Sequence, residues 1–148
     1  MAKRTATILG IVFLVAGVGG FILPGMLGFH LSIAHSVIHL ISGAISLYLG
    51  VKGTVAGARM FSLIFGTVYA LLGVAGYIWG AAAVPSDGVP GPADLRLFKV
   101  IPGVLELGTV DHLFHIFVGL LYVATALATR VDVLVRPGPE GTKRGSGL

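Results

Sequence analysis

The sequence predicts an all-α fold, an integral membrane four-helix bundle made of two tandem, parallel helical hairpins. The 148 residues are 55% hydrophobic and only 11% charged, with a mean hydropathy of +0.98, whereas soluble domains carry about 25% charged residues. Four apolar stretches approach the roughly 20 residues that a helix needs to cross a bilayer. The first two stretches also share a sequence pattern with the last two, which indicates a repeated unit.

The predicted spans contain no Lys or Arg and are joined by segments that carry the charges. They cover residues 7–23, 31–51, 60–80 and 110–129. Basic residues precede the first span, separate the second from the third and follow the fourth, so the positive-inside rule places both termini in the cytoplasm. We therefore expect a transmembrane domain over residues 1–130. The basic, Pro/Gly-rich tail at 131–148 is predicted to be disordered and to lie against anionic headgroups.

The second and fourth spans begin with related sequences, HSVIHLISG at 35–43 and DHLFHIFVG at 111–119. Their alignment places His39 on His115 and Gly43 on Gly119. Glycines of the first and third spans also match at a constant offset, namely Gly10, Gly17 and Gly20 with Gly66, Gly73 and Gly76. Hairpins that start and end on the same side are related by an axis along the membrane normal. Small residues let helices approach closely in lipid, so these faces should pack inside the bundle or between copies in a homo-oligomer.

The two outer connections differ in length. The first covers about residues 24–30, and its His30 is expected to be a solvated interfacial residue. The second covers about residues 81–109 and contains four prolines. Its segment 93–101, ADLRLFKVI, is predicted to form one or two amphipathic helical turns on the membrane surface.

Candidate site residues gather at the outer ends of the second and fourth spans. Polar residues inside apolar spans are costly and mark functional sites, and spacings of three and four place side chains on one helix face. Imidazole suits zinc, copper, iron and nickel, and carboxylate can complete a harder site. The candidate metal ligands are therefore His35, His39, Asp111, His112 and His115. In an alternative arrangement, His39 and His115 are the axial ligands of a haem between facing helices.

Two other interpretations of the same residues remain open. Asp111 and Ser32 or Ser36 are suited to capping helix N-termini, and the histidines to hydrogen bonds that hold the repeats in register. Alternatively, the histidines handle protons, since an unperturbed imidazole titrates near pH 6.5.

Composition and motifs exclude several function classes. The chain has no cysteine, which excludes disulfides, thiolate metal sites and thiol catalysis. It also has no Gly-rich phosphate loop and no Ser/His/Asp arrangement, so no catalytic residue is predicted. The net charge is +4, but the basic residues are distributed as the membrane topology predicts. The expected partner is therefore the bilayer rather than nucleic acid.

The repeated histidine segments resemble the L-H-L-x-x-G block of an uncharacterised bacterial family of small four-span membrane proteins. FGTVYALLGVAGY at 65–77 is similar to that family's third span, and DHLFH at 111–115 to the entry of its last helix, with His112 where Asn is usual. The resemblance covers about residues 6–127, and the long proline-bearing loop departs from it. It implies four spans in a bacterial plasma membrane and no particular reaction.

These observations favour a non-enzymatic plasma-membrane protein with a structural, stress-related or accessory role. A haem- or metal-binding membrane redox module is the first alternative. A minimal channel or transporter subunit is the second, although the polar residues gather in the outer half of the spans.

Overall fold

Four long helices make up most of the computed structural model, which describes residues 1–131. They are α1 (Ala2–Ile22), α2 (Ile33–Val51), α3 (Val55–Trp79) and α4 (Thr109–Leu127). Each is long and apolar enough to cross a membrane, which confirms the prediction of a mostly helical chain with four helices of this kind. The predicted tail beyond Val131 lies outside the described residues.

Polar side chains begin three of these helices. The Ser32 hydroxyl accepts the backbone N–H of His35 at 3.3 Å at the start of α2. Thr54 does the same for Gly57 at 3.0 Å at the start of α3. At the start of α4, the carboxylate of Asp111 accepts the N–H of Gly108 at 2.7 Å. Such bonds satisfy donors that the first helical turn leaves unpaired.

Glycine pairs bring the helices of each hairpin into close contact. A Cβ added at Gly10 of α1 would lie 3.0 Å from the carbonyl oxygen of Gly43 in α2. A Cβ added at Gly66 of α3 would lie 2.7 Å from the carbonyl oxygen of Gly119 in α4. The α1–α2 and α3–α4 seams are therefore closed by backbone packing at small residues, as expected for helices in lipid.

Aromatic rings fill the space between the two hairpins. Phe13 of α1 meets Tyr69 of α3 edge-on, with ring centroids 5.3 Å apart. Nearer the termini, the Tyr122 hydroxyl lies 2.6 Å from the Ser46 hydroxyl. Ser46 in turn donates to the Ala6 carbonyl at 2.8 Å, so Tyr122 is the donor in the first bond. This chain of bonds ties α1, α2 and α4 together.

The second outer connection forms a small sheet, which the all-α prediction did not include. An antiparallel sheet contains β1 (Ala81–Ala83), β2 (Asp94–Ile101) and β3 (Leu105–Leu107) in the order β1-β2-β3. The predicted amphipathic turns at 93–101 are thus wrong, because that segment is β2. Strands on both sides of β2 satisfy its backbone hydrogen bonds instead.

Glu106 is a buried carboxylate of the outer cap, residues 81–108, and it accepts several hydrogen bonds. Glu106 accepts the backbone N–H groups of Ser86 at 2.8 Å and Gly103 at 3.0 Å, and it also bonds the Ser86 hydroxyl. Lys99 lies 3.3 Å from the same carboxylate. Burial by itself would raise the pKa of Glu106, but these donors outweigh it and lower the pKa to about 2. The cap therefore holds Glu106 as a carboxylate.

The same cap covers His30, so the prediction that His30 is solvated is wrong. Its side chain lies 2.7 Å from Asp87 through Nε2, and only 6% of the residue is exposed. Asp87 also accepts the backbone N–H of Glu106 at 3.2 Å. His30 therefore joins the first outer connection to the cap.

Candidate metal centre

Three histidines meet at the outer end of the bundle. His35 and His39 come from the first two turns of α2, and His115 comes from α4. Their ring centroids are 4.4 Å apart for His35–His39, 5.6 Å for His35–His115 and 6.3 Å for His39–His115. None of the three is more than 3% exposed. We call this set the trihistidine cluster.

The cluster presents nitrogen atoms that have no protein partner. One ring nitrogen from each histidine lies within 4.8 Å of the other two. His35 Nε2, His39 Nδ1 and His115 Nδ1 are all buried without a hydrogen bond. Buried polar atoms are nearly always paired because burial without a partner is costly. Three of the five such atoms among residues 1–131 therefore belong to this cluster.

Contacts with His30 orient the ring of His35. Nδ1 of His35 lies 2.8 Å from the carbonyl oxygen of His30, and because a carbonyl only accepts, Nδ1 carries the proton. In a neutral imidazole, Nε2 then holds a lone pair. Metal-binding histidines typically donate their other ring N–H to a carbonyl or carboxylate in this way. His35 is therefore held in a tautomer whose Nε2 can accept a hydrogen bond or bind a metal.

Aromatic walls position the other two rings. Phe13 of α1 stacks on His39 with centroids 5.1 Å apart. Tyr69 of α3 meets His115 edge-on at 4.8 Å. Each ligand-bearing helix is thus supported by a ring from its hairpin partner. These walls restrict the imidazoles to a few orientations.

Two predicted site residues lie outside the cluster contacts. The carboxylate of Asp111 accepts the backbone N–H groups of Gly108 at 2.7 Å and His30 at 3.1 Å. The ring of His112 packs on Gly76 of α3, and its Nε2 donates to the Arg96 carbonyl at 2.7 Å. The structure therefore brings together three of the five candidates, while Asp111 and His112 attach α4 to the outer connections.

An apolar cavity of about 290 Å³ adjoins the cluster. His39, His115 and Asp111 line it together with Phe29, Phe114 and Met26. Met26 and His30 both lie in the first outer connection and were not among the predicted site residues. Their distance along the chain from His115 leaves no periodic pattern that would have revealed them.

A second group of ligand-type atoms lies in the cap. Side-chain atoms of His30, Asp87 and Glu106 also fall within 4.8 Å of one another. Here, however, both carboxylates already accept backbone N–H groups, and His30 bonds Asp87. These mutual bonds account for the group as part of the cap structure.

Comparisons with protein-family models, with curated proteins and with solved structures give no match. The geometry of the trihistidine cluster is therefore the main guide to function.

Proposed function

We propose that this chain is an integral membrane protein that binds one transition-metal ion at the trihistidine cluster. The observation that carries the proposal is the close approach of one ring nitrogen each from His35, His39 and His115. Each of these buried rings also has a nitrogen without a hydrogen-bond partner. Imidazole nitrogens that lie this close together are suitable ligands for zinc, copper, iron or nickel.

The spacing of the nitrogens is compatible with a site that closes on its ion. Metal–nitrogen bonds of about 2.0–2.1 Å place the nitrogens around one ion about 3.3–3.6 Å from each other. The cluster nitrogens lie within 4.8 Å of one another, so shifts of about an ångström or less per ring complete the site. Rotation about side-chain bonds supplies such shifts without moving the helices.

The arrangement favours a single ion over a haem or a pore. A porphyrin between His39 and His115 needs an empty slot, but the ring of His35 lies 4.4 Å from one and 5.6 Å from the other by centroid. Further along the bundle, Phe13 and Tyr69 pack against each other. This packing occupies the path that a channel would use.

The membrane setting belongs to the same proposal. Four apolar helices and the distribution of Lys and Arg support insertion in a bacterial plasma membrane with both termini in the cytoplasm. The matching contacts of Gly10–Gly43 and Gly66–Gly119 support an origin from two copies of one hairpin, and with it membership of the four-span family that the sequence resembles. They also favour equal depth of His39 and His115.

Metal content is the decisive measurement. The tag-free protein, purified in mild detergent without chelators and then exposed to a mixture of zinc, copper, iron and nickel, should retain close to one ion per chain. His39→Ala and His115→Ala should lose it. His112→Asn is the matched control, because His112 is another buried histidine of α4 that lies outside the cluster. Equal retention by all four proteins, or retention by none, would contradict the proposal.

Topology is tested separately on the same chain. Because the sequence contains no cysteine, single cysteines introduced at Gly53 and Gly91 report their own accessibility. A membrane-impermeant maleimide should label the Gly91 variant in intact cells and the Gly53 variant only after lysis. The reverse pattern would overturn the proposed orientation.

A structural role remains the second candidate function. The Asp111 carboxylate accepts the backbone N–H groups of His30 and Gly108, and the His30 side chain bonds Asp87 of the cap. These bonds connect α4, the first outer connection and the cap, which is the role of a packing element. Under this alternative, His39→Leu combined with His115→Leu lowers thermal stability and changes no metal content.

A further inference from the structure

We infer that the ion of the trihistidine cluster is cuprous copper and that Met26 supplies a fourth ligand through its thioether sulfur. The inference rests on the proposed metal site and names its metal.

The three imidazole ligands are neutral, and one carboxylate, Asp111, lines the same cavity while it accepts the N–H groups of Gly108 and His30. A singly charged ion balances that carboxylate, whereas a divalent ion leaves a net positive charge in the interior. The Born cost of placing an ion in a low-dielectric interior grows with the square of its charge. A monovalent ion therefore costs about a quarter as much as a divalent ion here. This difference favours Cu(I) over Zn(II) at a site in the bundle interior.

A soft ligand lines the cavity beside the cluster. Met26 lines the same cavity as His39 and His115, and thioether sulfur selects Cu(I) over harder ions. Methionine is unbranched and has three rotatable bonds, so its sulfur can reach an ion within a cavity of about 290 Å³. A set of three nitrogens and one sulfur then surrounds the ion.

An unusual backbone conformation carries Met26 to the cavity. Met26 begins a short 3₁₀ turn, Met26–Gly28, in which Leu27 adopts φ 56° and ψ 20°. Leu27 is the one non-glycine residue with positive φ among residues 1–131, and this conformation is unfavourable for a residue that carries a Cβ. Leu27 is 84% exposed, so its side chain gains little packing in return. Strained backbone of this kind is concentrated at ligand-binding sites. In this turn it leaves Leu27 facing outwards while Met26 lines the cavity.

Competition titrations test the inference on the full chain in detergent. Cu(I) is titrated anaerobically against bicinchoninate, and Zn(II) against a zinc-specific chromophoric chelator. Met26→Leu nearly conserves volume and should weaken Cu(I) binding about ten- to hundredfold, a range seen even when groups behind the ligands are lost. Its Zn(II) affinity should stay within about twofold. Met60→Leu is the matched control, because Met60 is 63% exposed on α3 and should bind both metals normally.

X-ray absorption on the copper-loaded protein gives an independent measure. A sulfur scatterer should accompany the nitrogens and disappear in Met26→Leu. Unchanged Cu(I) affinity in Met26→Leu, or equal loss for both metals, would overturn the role of Met26. Tighter binding of Zn(II) than Cu(I) would overturn the cuprous assignment and leave the proposed metal site standing. Failure to bind any metal would overturn both.

Discussion

Gly119→Ala is a direct test of the close packing of α4, the helix that carries His115, against α3. A Cβ at this position would lie 2.5 Å from the backbone nitrogen of Ala70 and 2.6 Å from the carbonyl oxygen of Gly66. Ordinary contact begins at 3.4 Å, so the two helices must separate by about 0.9 Å. Both opposing atoms belong to the backbone of α3, and no side-chain rotation relieves them. The seam must open along its length.

The magnitude follows from two opposing effects. Overpacking in a close-packed interior costs about 1–3 kcal/mol. The cost at Gly119 should lie at the upper end of this range, because the opposing atoms belong to the rigid backbone of α3. Replacing a helical glycine by alanine returns about 1 kcal/mol through helix propensity. We therefore expect Gly119→Ala to lower the free energy of unfolding by about 2 kcal/mol.

Reversible unfolding of the protein in mixed micelles, followed by circular dichroism, measures this change. Gly19→Ala is the matched control in α1, because its new Cβ would meet only the flexible end of Met26 at 3.0 Å. It should be neutral or stabilising by up to about 1 kcal/mol. A Gly119→Ala protein as stable as the parent would refute the close α3–α4 contact.

Three further sets of substitutions test the cap, the strained turn and the interhelical hydroxyl pair. The pKa of Glu106 lies at about 2, below its ordinary 4.5. Its stabilisation of the cap is therefore complete above pH 4.5 and is lost as the pH falls towards 2. Hydrogen exchange of the cap amides should show this loss in the parent protein and not in Glu106→Gln. Leu27→Gly should raise the free energy of unfolding by about 0.5–1 kcal/mol by relieving strain. Gly28 has φ 80°, so Gly28→Ala should lower the free energy of unfolding, measured by the same micelle unfolding experiment. Tyr122→Phe should cost about 0.6–1 kcal/mol, with a double-mutant cycle against Ser46→Ala showing coupling; additive effects would contradict the bond.

Periodic features of the sequence predicted much of the bundle. Long apolar runs indicate helices of membrane length, and glycines at Gly10 and Gly66 mark the faces on which they pack. The spacing of His35 and His39, with the matching position of His115, placed three imidazoles on facing helices. These features are local in sequence or repeat at a fixed offset, so pattern alone reveals them.

The remaining features depend on contacts between distant segments. The strand at 94–101 forms because β1 and β3 pair with it on both sides, whereas its apolar spacing also fits a short helix. His30 is buried by a cap that begins some fifty residues later in the chain. Met26 lines the cavity next to Leu27, which has positive φ. The sequence does not predict this conformation, because leucine rarely adopts it.

The differences between the two hairpins explain why the cluster has three histidines. Alignment of 35–43 with 111–119 puts Asp111 where a symmetric bundle would carry a counterpart of His35. Asp111 instead holds the N–H groups of Gly108 and His30, and the carbonyl of His30 fixes the tautomer of His35. The carboxylate thus acts on the site through His30, and its removal should disturb His35 first. The position left without a fourth imidazole adjoins the cavity, where Met26 can complete the coordination of an ion.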